Sequence, residues 1–484
     1  MKKNLLILLT LVFFSPFVIN AEELKMGWQK NFLFTYYYHD YSSIQINDGD
    51  IISCGPSTST NIEGLPNKGG SDVIILKNDK DGNLLWQKSW GGNSHDYLNN
   101  VIVTEDGNFI LFGRSESTDI EGLPNKGSYD AIIVKYDKDG NLLWQKSWGG
   151  SGYDSLSQVI ETEDGNFILF GRSESTDIEG LPNKVSQDAI ILKYDKNGNM
   201  LWQKSWGGNN REYLKNAIET EDESIILVGY SVSTDIEGLP NKGGQDAIIV
   251  KYDKDGNLLW QKSWGGNGSD SLSQVIETED GSVILLGEST STDIEGLPNK
   301  GSQDAIILKY DKNGNMLWQK SWGGNGYDSL SQVIETEDGN FILFGHSEST
   351  DIEGLPNKGS TFILVKYSVE YDLGNVETEN GSAELKQDGK YGIITPTPNE
   401  GYEVDKIIIK DKDGNVLDVE VNKQEDGTYS FELYTDVSVE VLFKEKIENP
   451  KTGILDVITI IFVGLVISLS GFFIVKRYNE RLEF

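Results

Sequence analysis

The feature that most constrains this chain is a phrase that returns at a fixed interval. The phrase WQKSWGG begins at Trp86, Trp144, Trp202, Trp260 and Trp318, each 58 residues after the last, and GWQKNF places Trp28 another 58 residues upstream of Trp86. A repeat of this length is one supersecondary unit, which buries its apolar face only against neighbouring units. What one repeat builds therefore decides the fold class.

One repeat contains four strand patterns, designated a to d, and two turn patterns. The strands are SQVIETE (157–163), FILFG (167–171), DAIILKY (188–194) and MLWQKSW (200–206), and they are rich in β-branched and aromatic residues. Asp-Gly and Asn-Gly turns separate a from b and c from d. Four antiparallel strands in a repeat of this size are typical of a β-propeller blade. We expect the strand-d tryptophans to pack between neighbouring blades.

The number of strands predicts how the repeats close. Strands a, b and c each occur six times between Ser42 and Tyr367, but no strand d follows Tyr367. The spare copy is the segment around Trp28. We therefore predict an all-β chain in which residues 22–367 form a six-bladed β-propeller, closed by an N-terminal outer strand that removes the free sheet edges.

Family resemblances agree with this organisation. The pattern W-x-K-x-W-G-G, V-I-E-T-x-D-G, G-x-S-x-S-T-D and D-A-I-I-x-K-Y-D-x-x-G-N over residues 28–367 resembles the bacterial SBBP-type β-propeller repeat of exported and surface proteins. That resemblance implies a fold rather than a reaction. Residues 368–446 alternate in the β manner, and PTPNEGY and DGTYSF there resemble a divergent internalin-type B-repeat module. We predict a small β domain that acts as a spacer.

Both ends of the chain indicate export. Residues 1–21 have a basic start, an apolar run and a final Ala21, which is typical of a signal peptide. Residues 454–475 are long and apolar enough for a transmembrane helix, and 476–484 form a basic cytoplasmic tail. Within 447–453, NPKTG resembles an LPxTG-like sortase signal, which implies cleavage between Thr452 and Gly453 and attachment to peptidoglycan. We predict sortase and peptidoglycan as partners and the cell wall of a Gram-positive-type bacterium as the location, with simple membrane anchoring as the alternative.

The charged residues and the single cysteine limit the partners and chemistry that we expect of this chain. The 42 Lys and Arg against 76 Asp and Glu give a net charge of −34, which excludes nucleic acid as a partner. Cys54 is the single cysteine and occupies an apolar strand-b position, so we predict a buried, inert thiol. We also expect a monomer without a cofactor. Acidic residues in loops usually face water, and we expect this of those in the d–a loops. The alternative is that Ca²⁺ is bound by Asp96, Asp154, Glu212, Asp270 and Asp328.

Positions at which near-identical repeats differ mark a candidate binding face, where the b–c and d–a loops should lie together. Directly after strand b the repeats have Pro56, Arg114, Arg172, Tyr230, Glu288 and His346. The d–a loops add Tyr36, Tyr37, Tyr38, His39, His95, Tyr153, Arg211 and Tyr327. Aromatic rings with nearby carboxylates suit binding or adhesion to extracellular glycans or proteins. Neutral drift on a solvated face explains the same pattern.

A propeller glycoside hydrolase is the alternative function. Sialidases are six-bladed and use three arginines with a Tyr–Glu pair, and this face has Arg114, Arg172 and Arg211 with Tyr230 and Glu288. The Arg-Ile-Pro start of that family is absent, however, and Arg211 belongs to a different loop from the other two arginines. No nucleophile-elbow motif is present, and three scattered histidines make no zinc set. We therefore expect binding without catalysis.

Overall fold

The computed structural model of this chain describes residues 41–446, except 47, 61, 182–186, 298, 353–359, 413 and 434–435. The predicted signal peptide, the closing strand at Trp28, the loop residues Tyr36, Tyr37, Tyr38 and His39, and the anchor with Thr452 and Gly453 lie outside these residues. Every regular element of the described part is a β-strand. In that part no helix is both long enough and apolar enough to cross a bilayer.

The first 23 strands of the described part form six antiparallel sheets in chain order. Sheet 1 has β1 (Ser42–Gln45), β2 (Ile51–Ser57), β3 (Asp72–Asn78) and β4 (Leu84–Trp90). Sheet 2 has β5 (Asp96–Val103), β6 (Phe109–Ser115), β7 (Asp130–Tyr136) and β8 (Leu142–Trp148). Sheet 3 has β9 (Asp154–Glu161), β10 (Phe167–Ser173), β11 (Asp188–Tyr194) and β12 (Met200–Trp206).

The next three sheets repeat this order. Sheet 4 has β13 (Glu212–Glu219), β14 (Ile225–Ser231), β15 (Asp246–Tyr252) and β16 (Leu258–Trp264). Sheet 5 has β17 (Asp270–Glu277), β18 (Val283–Ser289), β19 (Asp304–Tyr310) and β20 (Met316–Trp322). Sheet 6 has three described strands, β21 (Asp328–Glu335), β22 (Phe341–Ser347) and β23 (Thr361–Tyr367). Six repeats of a, b and c are thus confirmed in the described residues.

The strand bounds correct the predicted ones at strands a and b. In sheet 3, strands c and d match their predicted limits, but strand a begins at Asp154 rather than 157 and strand b continues to Ser173. A bulge at Ser157 lets β9 follow the twist of β10. The residues predicted to follow strand b, such as Arg172, therefore lie inside it, at its next-to-last position.

The two hairpin turns have a clear local cause. In the a–b turn of sheet 2, Gly107 has a φ of 77°, a left-handed conformation that costs glycine little. Glu223 has the equivalent position in sheet 4 with a φ of 61°, the one repeat without that glycine. In the c–d turn, Asp137 Oδ1 accepts hydrogen bonds from the backbone N–H groups of Asp139 and Asn141, at 2.9 and 2.7 Å. These bonds define an Asx turn.

Tryptophans of strand d join each sheet to the next. Trp148 is 6% exposed, and its indole Nε1 donates to Gln203 Oε1 of sheet 3 at 2.8 Å. The same bond joins Trp90, Trp206 and Trp264 to the following sheet. The other tryptophan of the strand, Trp144, packs on Phe167 of sheet 3 with ring centroids 6.2 Å apart. The predicted packing of strand-d tryptophans between sheets is therefore confirmed.

Sheet 6 differs from the other five. Phe170, Val228 and Leu286 fill one strand-b position in sheets 3 to 5 and are fully buried, whereas Phe344 in sheet 6 is 41% exposed. On β23, Phe362 is 81% and Leu364 is 71% exposed. In the described residues no neighbouring sheet covers this face, so ring closure stays a prediction. Cys54 fills the same position in sheet 1 and is 1% exposed, which confirms the buried thiol.

The remaining strands form two small sheets. One consists of β24 (Leu373–Glu379), β27 (Tyr402–Asp411) and β30 (Val437–Glu445), with β24 parallel to β30. The other consists of β25 (Gly381–Asp388), β26 (Tyr391–Pro398), β28 (Asn422–Lys423) and β29 (Tyr429–Glu432). Ile394, Ile409, Phe431 and Val441 belong to a shared core. The described residues divide into two compact units. The first contains the described residues within Met1–Ile334 and Leu343–Val365, and the second contains those within Glu335–Ile342 and Lys366–Phe484.

Candidate functional site

Arg114 and Arg172 bring a group of tyrosines together at one end of sheets 2 and 3. The guanidinium carbon of Arg114 lies 4.7, 5.6 and 5.7 Å from the ring centroids of Tyr97, Tyr129 and Tyr153. The guanidinium of Arg172 lies 5.0 Å from the ring of Tyr153, and its Nη2 donates to Tyr153 Oη at 3.3 Å. Cation–π attraction thus holds Tyr153 between two cations. We refer to these five residues as the arginine–tyrosine cluster.

A cavity of about 220 Å³ opens beside the two arginines. Strands of sheets 2, 3 and 4 line this arginine cavity with Asn100, Arg114, Ser155, Leu156, Ser157, Gly171, Arg172, Tyr213 and Leu214. None of the lining residues is acidic. In the described part of the chain neither arginine forms an ion pair, and Nε of Arg114 is buried without a hydrogen-bond partner. Two cations therefore line one polar cavity that has no acidic residue in its described lining.

His95 borders the arginine–tyrosine cluster. Its ring is nearly parallel to that of Tyr97, with centroids 6.2 Å apart, and its Nδ1 is 3.2 Å from Ser71 Oγ. Ser71 precedes strand c of sheet 1, and the backbones of Ser71 and His95 form a parallel bridge. The b–c and d–a loops therefore share one face, as the sequence predicted.

A second group of predicted residues surrounds Tyr230 in sheet 4. Its ring stacks on Tyr213 at 5.8 Å, and Lys215 Nζ lies 5.5 Å from the Tyr230 centroid. Burial, followed by the neighbouring Tyr213, raises the pKa of Tyr230. Lys215 Nζ also donates to Ser271 Oγ at 3.0 Å and is 4.0 Å from a carboxylate oxygen of Glu288, so it joins sheet 4 to sheet 5.

Glu288 is held by neutral donors. Its carboxylate accepts from the Gln303 amide, from Ser271 Oγ at 3.4 Å and from Tyr327 Oη at 3.3 Å. Burial and then the charge of Glu288 raise the pKa of Tyr327. The hydrolase alternative expects Glu288 to pair with Tyr230, but the tyrosine that binds it here is Tyr327.

The other predicted residues stand apart. Arg211 is exposed, and its side chain forms no ion pair with any described residue. His346 Nε2 is hydrogen-bonded to the Oγ of Ser360, the residue before β23, and the His346 and Phe362 rings meet edge to face with centroids 6.4 Å apart. The structure therefore unites His95, Arg114, Tyr153 and Arg172, and joins Tyr230 to Glu288 and Tyr327 through Lys215.

Four members of this face were missed by the sequence analysis: Tyr97, Tyr129, Tyr213 and Lys215. Tyr97 and Tyr213 occupy the second position of strand a, where the third, fifth and sixth repeats have Ser155, Ser271 and Ser329. The signal was the same difference between near-identical repeats, but it lay on strand a for Tyr97, Tyr213 and Lys215 and directly before strand c for Tyr129. The d–a loop sequences NSHDY and NNREY end in Tyr97 and Tyr213, but only His95 and Arg211 were predicted from them.

The acids predicted to face water are buried instead. Asp96, Asp154, Glu212, Asp270 and Asp328 begin strand a in their repeats, and each is 0% exposed. Asp154 accepts hydrogen bonds from Ser173 Oγ, from Ser175 Oγ at 2.6 Å and from the Gly150 N–H at 2.9 Å. Both oxygens of Asp154 thus accept hydrogen bonds from described donors. In the residues described here, no three metal-ligating side chains converge.

A second buried carboxylate lies against each of these acids. An added Cβ on Gly149 would lie 2.7 Å from Asp130 Oδ1 and 2.7 Å from Asp154 Oδ2, so both carboxylates contact this glycine. Asp130 Oδ1 has no hydrogen-bond partner among the described residues. Burial, with a smaller contribution from Asp154, raises the pKa of Asp130 to about 6. Burial similarly raises the pKa of Asp246 to about 6 and that of Glu212 to about 7.

These raised pKa values predict a stability that falls as pH rises. The unfolded carboxyls titrate near pH ~4, so between about pH 4 and 7 the folded state binds more protons than the unfolded state. We expect a lower free energy of unfolding at pH 8 than at pH 5.5, measured by denaturant titration at fixed ionic strength. Asp130→Asn should reduce this difference, because its amide can donate to Asp154 without a charge.

Asp139→Asn is the matched control, because Asp139 is an exposed turn residue of the same repeat. This variant removes the same charge and should keep the pH dependence of the natural chain. If Asp130→Asn and Asp139→Asn behave alike, overall charge rather than the buried pair is the cause.

A comparison with protein families returns a profile described as outer membrane protein assembly factor BamB, which matches residues 130–336. These residues run from strand c of sheet 2 to the a–b turn of sheet 6. Together with the serial four-stranded sheets, this match supports a β-propeller repeat protein. The SBBP-type repeat, the B-repeat module and the sortase anchor stay predictions.

Similar individual proteins differ widely in their names. The regulatory protein FlaEY of Caulobacter vibrioides is 28% identical over 298 residues, which is 57% of this chain and 29% of FlaEY. A WD repeat-containing protein of Acanthamoeba polyphaga mimivirus is 25% identical over 27% of this chain and 10% of its own length. This chain thus spans less than a third of either relative. The crystal structure of BamB from Moraxella catarrhalis is 11% identical, with a TM-score of 0.31, covering 81% of this chain and 98% of that one.

Proposed function

We propose that this chain is a binding protein of the cell surface, whose β-propeller repeats present the face around the arginine–tyrosine cluster to extracellular glycans or proteins. The observation that supports it best is the convergence of residues that differ between repeats. Tyr97, Arg114, Tyr129 and Tyr153 are absent from the equivalent positions of most other repeats, yet they contact one another. Rings and guanidinium groups dominate the contacts that determine affinity at binding surfaces.

The repeated loops of the face have a structural role. In the d–a loop after sheet 1, Asn93 donates its backbone N–H to Asp119 Oδ1 at 2.7 Å and its side-chain Nδ2 to Thr118 Oγ1 at 3.0 Å. The same bonds recur in the d–a loops after sheets 3, 4 and 5. The repeated loops thus hold the neighbouring sheets together, and the non-repeated side chains remain for a ligand.

The test is binding by residues 22–446 to an array of glycans and matrix proteins. Saturable binding to at least one class is expected. Tyr37→Ala combined with Tyr38→Ala should weaken it, because aromatic contacts are typically worth about 1–3 kcal/mol. A chain that binds nothing on the array would contradict the proposal, and a double variant that binds as well as the natural chain would exclude Tyr37 and Tyr38 from the ligand contact.

Anchoring has a separate prediction. In this proposal a sortase cuts between Thr452 and Gly453 and joins the chain to peptidoglycan. We expect Thr452→Ala to move the protein from the covalently bound wall fraction into the membrane or medium fraction, as measured by fractionation and immunoblotting. Lys451→Ala, at the variable position of the motif, should remain bound. A Thr452→Ala chain that stays covalently attached would exclude the sortase mechanism.

A further inference from the structure

We propose that the arginine cavity is a subsite for the carboxylate of an acidic sugar at the end of a glycan. This inference rests on the proposed binding function and names the ligand class. It begins with charge: the chain has a net charge of −34, yet Arg114 and Arg172, which form no ion pair with any described residue, border a cavity without a carboxylate in its described lining. The chain has fewer basic than acidic residues, 42 against 76, yet two of the basic residues line this one cavity.

The geometry suits an anion whose two acceptor oxygens lie in one plane, as those of a carboxylate do. Tyr153 contacts both guanidiniums, so it fixes Arg114 and Arg172 side by side. Stacking on rings uses the face of a guanidinium and leaves its N–H edge for hydrogen bonds, and Nε of Arg114 has no partner in the described part of the chain. Carboxylates match that edge in a bidentate manner, and such charge-assisted bonds are about twice as strong as neutral ones.

The neutral lining and the size favour a sugar over an acidic peptide. Asn100 and Ser155 add an amide and a hydroxyl to the cavity, groups that both donate and accept as sugar hydroxyls do. The cavity volume of about 220 Å³ is below the ~300–1,000 Å³ of pockets for drug-sized ligands. The cavity therefore has room for one sugar residue of a glycan. A larger cavity of about 420 Å³ is lined by Gln203, Trp206 and Gln261, which recur in other repeats and confer no such specificity.

The experiment compares two disaccharides that differ only at one group: one ends in glucuronic acid and the other in glucose. Residues 22–446 should bind the glucuronate form more tightly, and added salt should weaken that binding. Arg114→Gln with Arg172→Gln should weaken glucuronate binding about 10- to 100-fold, the range for charged hydrogen bonds. Binding of the glucose form should not change.

Matched controls separate this site from general electrostatics. Lys138→Gln with Lys196→Gln removes two cations from exposed c–d turns of the same two repeats and should leave glucuronate binding unchanged. Arg114→Lys with Arg172→Lys keeps the charge but loses the paired N–H edge, so it should recover only part of the affinity. The Arg114→Lys, Arg172→Lys protein also tests the proposal if the Arg114→Gln, Arg172→Gln protein folds poorly.

The outcomes distinguish this inference from the proposed function. Array binding that prefers neutral ligands, or that survives both arginine replacements, would overturn the acidic-sugar subsite and leave the binding function standing. Tighter binding of a hexaglutamate peptide than of the glucuronate disaccharide would assign the cavity to acidic peptides and overturn the sugar. Absence of all array binding would contradict the proposed function itself.

Discussion

A chain that begins at Tyr41 is expected to melt far below one that begins at Glu22. Residues 28–32 repeat the strand-d sequence, and sheet 6 has three described strands, whereas each of the other five has four. Loss of a fourth strand would remove one buried tryptophan, worth roughly 1.5–3 kcal/mol, and about five ladder hydrogen bonds of about 1 kcal/mol each. That total is comparable to the ~5–15 kcal/mol net stability of an ordinary domain.

Thermal and denaturant unfolding of the two chains measure this effect. A chain that begins at Lys25 is the matched control, since it also lacks N-terminal residues but keeps GWQKNF. It should melt like the chain that begins at Glu22. Equal stability of all three chains would show that the segment around Trp28 is not a strand of the propeller.

Trp322 provides a direct test of where that segment lies. Trp206 is 6% exposed and donates to Gln261 of the following sheet, whereas Trp322 of sheet 5 is only partly buried. In the repeat, Gln29 has the position of Gln261. If residues 28–32 complete sheet 6, Trp322→Ala should be costly in the long chain and much cheaper in the chain that begins at Tyr41. Trp206→Ala should cost the same in both, because distant sites add.

The fold was predictable where one repeat determines its own structure. Strands c and d of sheet 3 have the predicted limits because their apolar pattern is bounded by an Asx turn that needs only local residues, Asp195 and Asn199. The start of strand a was not predictable. Asp154 is extended and buried because Ser173 and Ser175, some 20 residues away, donate to it. Asp-Ser-Leu-Ser alone gives no sign of these partners.

The candidate site was predictable in part for a similar reason. Comparison of repeats identified Arg114, Tyr153 and Arg172, because these residues depart from the repeat at positions that face the same end of each sheet. Which residues touch depends on how neighbouring sheets pack. That packing places Tyr129 of one repeat against Tyr153 of the next, with ring centroids 5.3 Å apart. The sequence of a single repeat does not contain this distance.

The second large effect concerns the core between sheets 3 and 4. Phe170 is fully buried and packs in a cluster with Trp206, Leu227 and Ile248. Phe170→Ala would leave a cavity in this cluster, and phenylalanine-to-alanine changes in cores cost about 3–5 kcal/mol. We expect a loss of this size in the free energy of unfolding, measured by denaturant titration of residues 22–446.

The chain offers its own control for that loss. Leu286 fills the equivalent position in sheet 5 and is also 0% exposed, so the site between two sheets accepts leucine. Phe170→Leu should therefore cost much less than Phe170→Ala, because it retains most of the buried apolar volume. Phe344→Ala, at the same position in sheet 6, removes a ring that is 41% exposed and should cost less than Phe170→Ala. An equal cost for Phe344→Ala would mean that another part of the chain covers sheet 6 in solution, which is the packing that a closed ring requires.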